Sequence, residues 1–114
     1  MPTLRILTNV TVPAEQRASL LARASHTVAG MLSKPESYVM VTLEDGRDMV
    51  FAGTPAPTAY LELKSLGLPE ARTAEYSRTL CDLLAETLGI AAERVYIEFA
   101  APPPRLFGWN GGTF

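Results

Sequence analysis

Histidine and cysteine are almost missing, with His26 and Cys81 standing alone in 114 residues. That scarcity excludes zinc sites of the Cys/His type, iron–sulfur clusters and a disulfide framework within the chain. Charge is sparse as well: 19% of residues are Asp, Glu, Lys or Arg against a usual ~25%, which leaves little to coat a free monomer and points to self-association. The formal charge of −2 argues against nucleic acid as a partner, because neutralising phosphates needs a basic surface. Long hydrophobic runs are absent too. Nothing approaches the ~20 apolar residues of a membrane helix, and Met1-Pro2-Thr3-Leu4-Arg5-Ile6-Leu7 lacks the basic head and apolar run of an export signal. The expectation is a cytoplasmic chain with no membrane partner, with release by an unconventional route left open.

What the sequence does hold is pattern. It is 47% hydrophobic, and a chain of this length builds one core, burying roughly 65% of its unfolded surface; a single domain over residues 1–114 is expected. Residues 3–8 are β-branched and apolar with partial alternation, and residues 9–13 are turn-formers, which predicts a strand and its connection. From Pro13, the residues Leu20, Leu21, Ala24, Val28, Met31 and Leu32 recur at intervals of three and four and predict a helix with one apolar stripe and His26 on its solvated side. Ser33-Lys34-Pro35 closes it, since the residue before proline avoids the helical region. The nearly all-apolar run 38–43 predicts a central strand buried on both faces. A turn over 44–48, a short strand over 49–52 and a loop over 53–57 come next.

The order then repeats. Residues 58–64 alternate, with Ala59, Leu61 and Leu63 on one face and Thr58, Tyr60, Glu62 and Lys64 on the other. Residues 65–69 open a second helix striped by Tyr76, Leu80, Leu83, Leu84, Thr87 and Leu88, with Gly89 where a C-terminal glycine cap belongs. A strand over 95–99 completes the unit. The expected class is α/β (α+β): two β–α–β repeats, about 2–52 and 58–101, with a C-terminal hairpin in 105–114. Right-handed crossovers put both helices on one face of a four-stranded sheet. The other face, with Glu62, Lys64, Tyr96, Glu98 and the outer side of 38–43, then needs a partner, and a ring of subunits would provide it.

The ordered residues Met1-Pro2, Thr8-Asn9-Val10, Ser33-Lys34-Pro35, Tyr38, Ser65-Leu66-Gly67, Tyr76-Ser77, Leu83-Leu84-Ala85-Glu86, Arg94-Val95-Tyr96-Ile97, Gly108-Trp109-Asn110 and Thr113-Phe114 span nearly the whole chain. In this the sequence resembles the macrophage migration inhibitory factor branch of the tautomerase superfamily, which includes D-dopachrome tautomerase. The resemblance implies a homotrimer with active sites at subunit interfaces. It further implies cofactor-independent, metal-free keto–enol isomerisation of aromatic α-keto acids such as phenylpyruvate, and of dopachrome-type compounds. The alternative it leaves open is a cytokine-like trimer with a vestigial pocket and a receptor protein as partner.

Tautomerisation moves a proton from the carbon beside a carbonyl, so one base with a pKa near working pH suffices. The resemblance assigns that role to Pro2 once Met1 is removed; burial disfavours the charged amine and keeps it basic yet unprotonated. A retained Met1 makes the same atom a peptide nitrogen, and Pro2 then only begins an edge strand. Lys34 would bind the substrate carboxylate and polarise the neighbouring carbonyl, or else complement the end of the first helix. Tyr96 would reach a neighbouring subunit's pocket, or serve as an interface tyrosine. Glu98 stands where the cytokine member has an amide, and its charge either raises the base's affinity for protons or repels an anionic substrate. Ser65 and Leu66 would supply backbone N–H groups and an apolar wall. Tyr38, Phe107, Trp109 and Phe114 would line an aromatic pocket, the last three being equally suited to packing. Residues 58–61 lack the Cys-x-x-Cys pair of some members, so thiol–disulfide exchange is not expected, and Cys81 reads as an inert buried thiol.

Overall fold

The computed structural model describes all residues from Met1 to Phe114. Strand β1 (Thr3–Thr8) leads to helix α1 (Ala14–Leu32), a 3-10 turn (Glu36–Tyr38) and strand β2 (Met40–Glu44). Strand β3 (Ala59–Lys64), a 3-10 turn (Glu70–Arg72), helix α2 (Thr73–Leu88), a further 3-10 turn (Ala92–Arg94) and strand β4 (Val95–Ala100) succeed them in the same order. A 3-10 turn (Pro104–Leu106) precedes the hairpin of β5 (Gly108–Trp109) and β6 (Gly112–Thr113). The main sheet runs β2-β1-β3-β4, with β1/β2 and β3/β4 parallel and β1/β3 antiparallel.

Period-two alternation sorts the two central strands. Leu4 and Ile6 of β1 and Ala59, Leu61 and Leu63 of β3 are buried on one face. They share a single core with Ala24, Val28 and Leu32 of α1 and Tyr76, Leu80, Leu83 and Leu84 of α2, so both helices cover the same face. Each such leucine contributes about 1.5–3 kcal/mol by leaving water. Helix α1 starts after Pro13, which needs no N–H at that point and whose carbonyl accepts from Gln16 N–H at 2.9 Å. It ends at Ser33 in the left-handed region (φ 53°), with the Lys34 N–H closing on Ala29 O at 3.0 Å. Helix α2 ends in the same way at Gly89 (φ 66°), after which Ile90 drops into the core.

Several sequence expectations change. The run 38–43 is not a central strand buried on both faces: β2 lies at the sheet's edge, and Met40 is 62% exposed. The parallel crossover through α1 sets β2 outside β1, whose other side is taken by β3, so only Val39, Val41 and Leu43 pack on the core. Residues 49–52 form no strand. Phe51 and Thr54 make one isolated bridge around a tight turn in which Ala52 (φ 53°) and Gly53 (φ 76°) are both left-handed. Helix α2 starts at Thr73 rather than within 65–69, after the 3-10 turn over Glu70–Arg72. Thr58 is buried instead of facing outward, because its hydroxyl donates to Arg94 O at 2.6 Å. Cys81 is half-buried, and burial pushes its thiol up, away from the reactive thiolate. His26 is solvent-exposed, as its place off the stripe predicts.

The face away from the helices carries charge at its centre. Arg5 donates to both Glu44 (2.6 Å) and Glu62 (3.2 Å), Lys64 approaches Glu62 at 3.8 Å, and the Tyr60 hydroxyl donates to Glu98 at 3.2 Å. No helix of the molecule is long and apolar enough to cross a membrane.

Candidate active site

One end of the sheet gathers most of the candidate residues. Pro2 is fully buried where β1 begins, and its carbonyl accepts from Met40 N–H at 3.0 Å, which ties the chain's start to the edge strand. Beside it a cleft of about 210 Å3, lined by the flanking Met1 and Thr3 and not by Pro2 itself, opens toward Tyr38, Met40 and the C-terminal hairpin. The hairpin exists because Asn110 (φ 51°) and Gly111 (φ 77°) accept the left-handed turn that joins two short strands. It delivers a run of rings to the cleft: Tyr38 meets Trp109 edge-on at 5.7 Å, Trp109 stacks on Phe114 at 5.6 Å, and Phe114 lies 6.0 Å from Phe107.

Lys34 follows the end of α1 and is not among the residues that line the cleft. Its charge is felt at the N-terminus, where burial first and Lys34 second hold the Met1 amine below the usual range of a terminal amine. A position that already disfavours a cation suits a neutral amine and an incoming anion. Ser65 and Leu66 come directly after β3, whose Lys64 lies opposite Thr3, so they adjoin the same end. Backbone N–H groups and an apolar wall are the sequence expectation for these two residues. The Ser65 N–H is consumed by Ala100 O at 3.0 Å, leaving the Leu66 N–H as the one without a backbone partner.

Tyr96 and Glu98 are not part of this cleft within one chain. The registers Leu7–Tyr60 and Tyr60–Tyr96 set Tyr96 two strands across and four residues along from Thr3, a separation of roughly 15 Å at ordinary strand spacing and rise. Tyr96 is 64% exposed, and its ring meets that of Phe51 edge to face at 4.7 Å. Glu98 faces the same way, accepting from the Tyr60 hydroxyl; that phenol is in turn pushed up, first by burial and then by the Glu98 charge. Beside Tyr96 stand two residues to which no sequence signal gave a role, Phe51 and Arg94. The Arg94 guanidinium bonds carbonyls lying 37 to 43 positions earlier, and no spacing rule reveals that. A second hollow of about 200 Å3, between α1 and α2, holds none of the candidate residues.

Comparison with known proteins falls on one family throughout. The family model described as macrophage migration inhibitory factor (MIF) matches residues 1–114. The macrophage migration inhibitory factor homolog of Trichuris trichiura is 39% identical over the full length of both chains. The macrophage migration inhibitory factor of Xenopus tropicalis is 34% identical over all of this chain and 99% of its own. Among solved structures, the homologue from Prochlorococcus marinus superposes with a TM-score of 0.93 at 44% identity, covering 98% of each chain. The protein from Trichinella spiralis superposes with a TM-score of 0.90 at 34% identity, over 98% of this chain and 99% of that one.

Proposed function

Because the chain belongs to the macrophage migration inhibitory factor family, within the tautomerase superfamily, we propose that it is a cofactor-independent keto–enol tautomerase of aromatic α-keto acids. The observation that supports the reading is an aromatic cleft lined by Met1 and Thr3, the two neighbours of the buried Pro2, at an N-terminus where protonation of the Met1 amine is disfavoured. With Met1 removed, the Pro2 nitrogen is a secondary amine with a free electron pair. It takes a proton from the carbon beside the substrate carbonyl; the C–H pair becomes the C=C bond, the carbonyl oxygen takes the negative charge, and a proton returned to that oxygen completes the enol. Lys34 matches the substrate carboxylate and the developing oxyanion, which is the largest lever such a site has. The rings of Tyr38, Trp109 and Phe114 form the wall on which the aromatic substrate packs, and the Leu66 N–H is left to hold a substrate oxygen.

Tyr96 and Glu98 serve this reaction only from another copy of the chain, since their own cleft is out of reach. A homotrimer is therefore part of the reading, and sedimentation should return three times 12.3 kDa; a stable monomer overturns it. The chemical test is phenylpyruvate turnover by protein whose loss of Met1 is verified by intact mass. Pro2→Gly should lower kcat/KM about 100-fold or more, the usual reach of a general base. Unchanged turnover in that variant sinks the mechanism, and saturable receptor binding without turnover favours the cytokine-like alternative.

A further inference from the structure

Between β2 and β3 the chain has no regular element, yet side chains hold it from two directions. Asn9, just past β1, donates from Nδ2 to the carbonyls of Pro55 (3.0 Å) and Ala56 (3.2 Å) and accepts at Oδ1 from Thr58 N–H (2.9 Å). Arg94, just ahead of β4, commits its guanidinium to four carbonyls of the same loop. Nη1 donates to Phe51 (2.9 Å), Nη2 to Thr54 (3.1 Å) and Ala56 (3.0 Å), and Nε to Pro57 (3.0 Å). A planar cation with five fixed donors can do this, whereas an ammonium on a flexible stem cannot span the same acceptors.

The same guanidinium lies 5.2 Å over the Phe51 ring, and the Phe51 ring meets Tyr96 at 4.7 Å with an interplanar angle of 70°. Arg94, Phe51 and Tyr96 are thus one stack, anchored at the loop and ending in an exposed ring. An unrestrained exposed tyrosine on a strand would share its time among staggered rotamers; here the face of Phe51 selects among them. We propose that Arg94 is a positioning residue: by fixing the loop it holds Phe51 against Tyr96, and so sets the orientation in which Tyr96 is presented to the cleft of a neighbouring chain. The assignment rests on the tautomerase reading for its effect on rate, and on geometry alone for its effect on the ring.

The experiment therefore has two readouts on processed, trimeric protein: the Phe51–Tyr96 ring-to-ring NOE, and kcat/KM for phenylpyruvate. Arg94→Lys should abolish the NOE and lower kcat/KM about three- to tenfold, the range expected when an edge-to-face pair is lost. Phe51→Leu, which keeps the carbonyl that Arg94 binds, should lower kcat/KM by the same factor, and Phe51→Tyr should keep both the ring-to-ring NOE and the wild-type kcat/KM. In a Tyr96→Ala background Arg94→Lys should cost nothing further, because the route through Tyr96 is already gone. A loss of equal size in that background, an intact NOE in Arg94→Lys, or an unchanged kcat/KM in Phe51→Leu overturns the proposal while the enzyme still turns over. Absence of any Pro2-dependent turnover in the wild type overturns the tautomerase reading itself, and with it the kinetic half of this one.

Discussion

The two halves of the molecule run through the same order of elements and part ways just after each helix. In the first half α1 ends at Ser33 in the left-handed region and the next residue is Lys34, a cation set near the chain's start. In the second half α2 ends at Gly89 with the same geometry and the next residue is Ile90, fully buried. One crossover delivers a charge to the neighbourhood of the chain's start; its counterpart delivers an anchor to the core. The 3-10 turns beyond the helices diverge too: the first half's ends in Tyr38, which lines the cleft, and the second half's ends in Arg94, which straps a loop. A repeated architecture thus constrains where a side chain is placed and leaves its chemistry free.

Substitutions at the equivalent positions test that division. Ile90→Ala should have the largest effect, lowering unfolding free energy by about 2–5 kcal/mol as a buried cavity opens, with KM of the folded protein unchanged; urea denaturation and steady-state kinetics read the two separately. Lys34→Ala should do the reverse, leaving the urea midpoint near wild type and raising KM for an aromatic α-keto acid about tenfold or more, the worth of a hydrogen bond to a charged group. If Lys34→Ala unfolds the protein and spares KM, the contrast between the halves collapses.

The two caps differ by a smaller margin. Gly89→Ala forces an L side chain into the left-handed region and should cost about 1 kcal/mol; no atom lies within 4 Å of the added methyl, so the cost is conformational. Ser33→Gly removes that strain but frees the unfolded chain, and should gain only a few tenths of a kcal/mol.

The smallest effect concerns pH. In protein that keeps Met1, the folded chain holds its terminal amine below the unfolded value, burial first and Lys34 second. Between those two titration points the unfolded chain binds the proton that the folded chain has released, so stability rises with pH across that interval and is flat above it. Lys34→Ala removes the second cause and should narrow the interval, as urea midpoints over a pH series would show.

Much of the fold is legible from residue order alone. The alternation of Leu4 and Ile6 and of Ala59, Leu61 and Leu63, the two helical stripes, Gly89 as a cap and the Asn110-Gly111 turn each rest on a local rule that the structure obeys. The misreadings share one cause. An apolar run such as 38–43 looks the same whether its outer face is packed within one chain or left at an edge, because period-two patterning reports burial on a face and not what covers it. Residues 49–52 have strand composition but no ladder partner, and their segment is ordered by Arg94 from far along the chain. Ser65 is a sound candidate donor by position, yet the acceptor that consumes its N–H lies on β4, which only the sheet order reveals.

The sheet order also bears on how the protein is made. β2 and β4 each have a neighbour on one side only, so a newly folded chain carries two open rows of backbone donors and acceptors, templates for any strand that arrives. Assembly of the proposed trimer is then a race that depends on protein concentration. Orderly closure and indiscriminate edge stacking both accelerate with concentration, and refolding yield should pass through a maximum as protein concentration is raised. The charges of Arg5, Glu44 and Glu62 on the face away from the helices disfavour flat stacking and tilt that race toward closure.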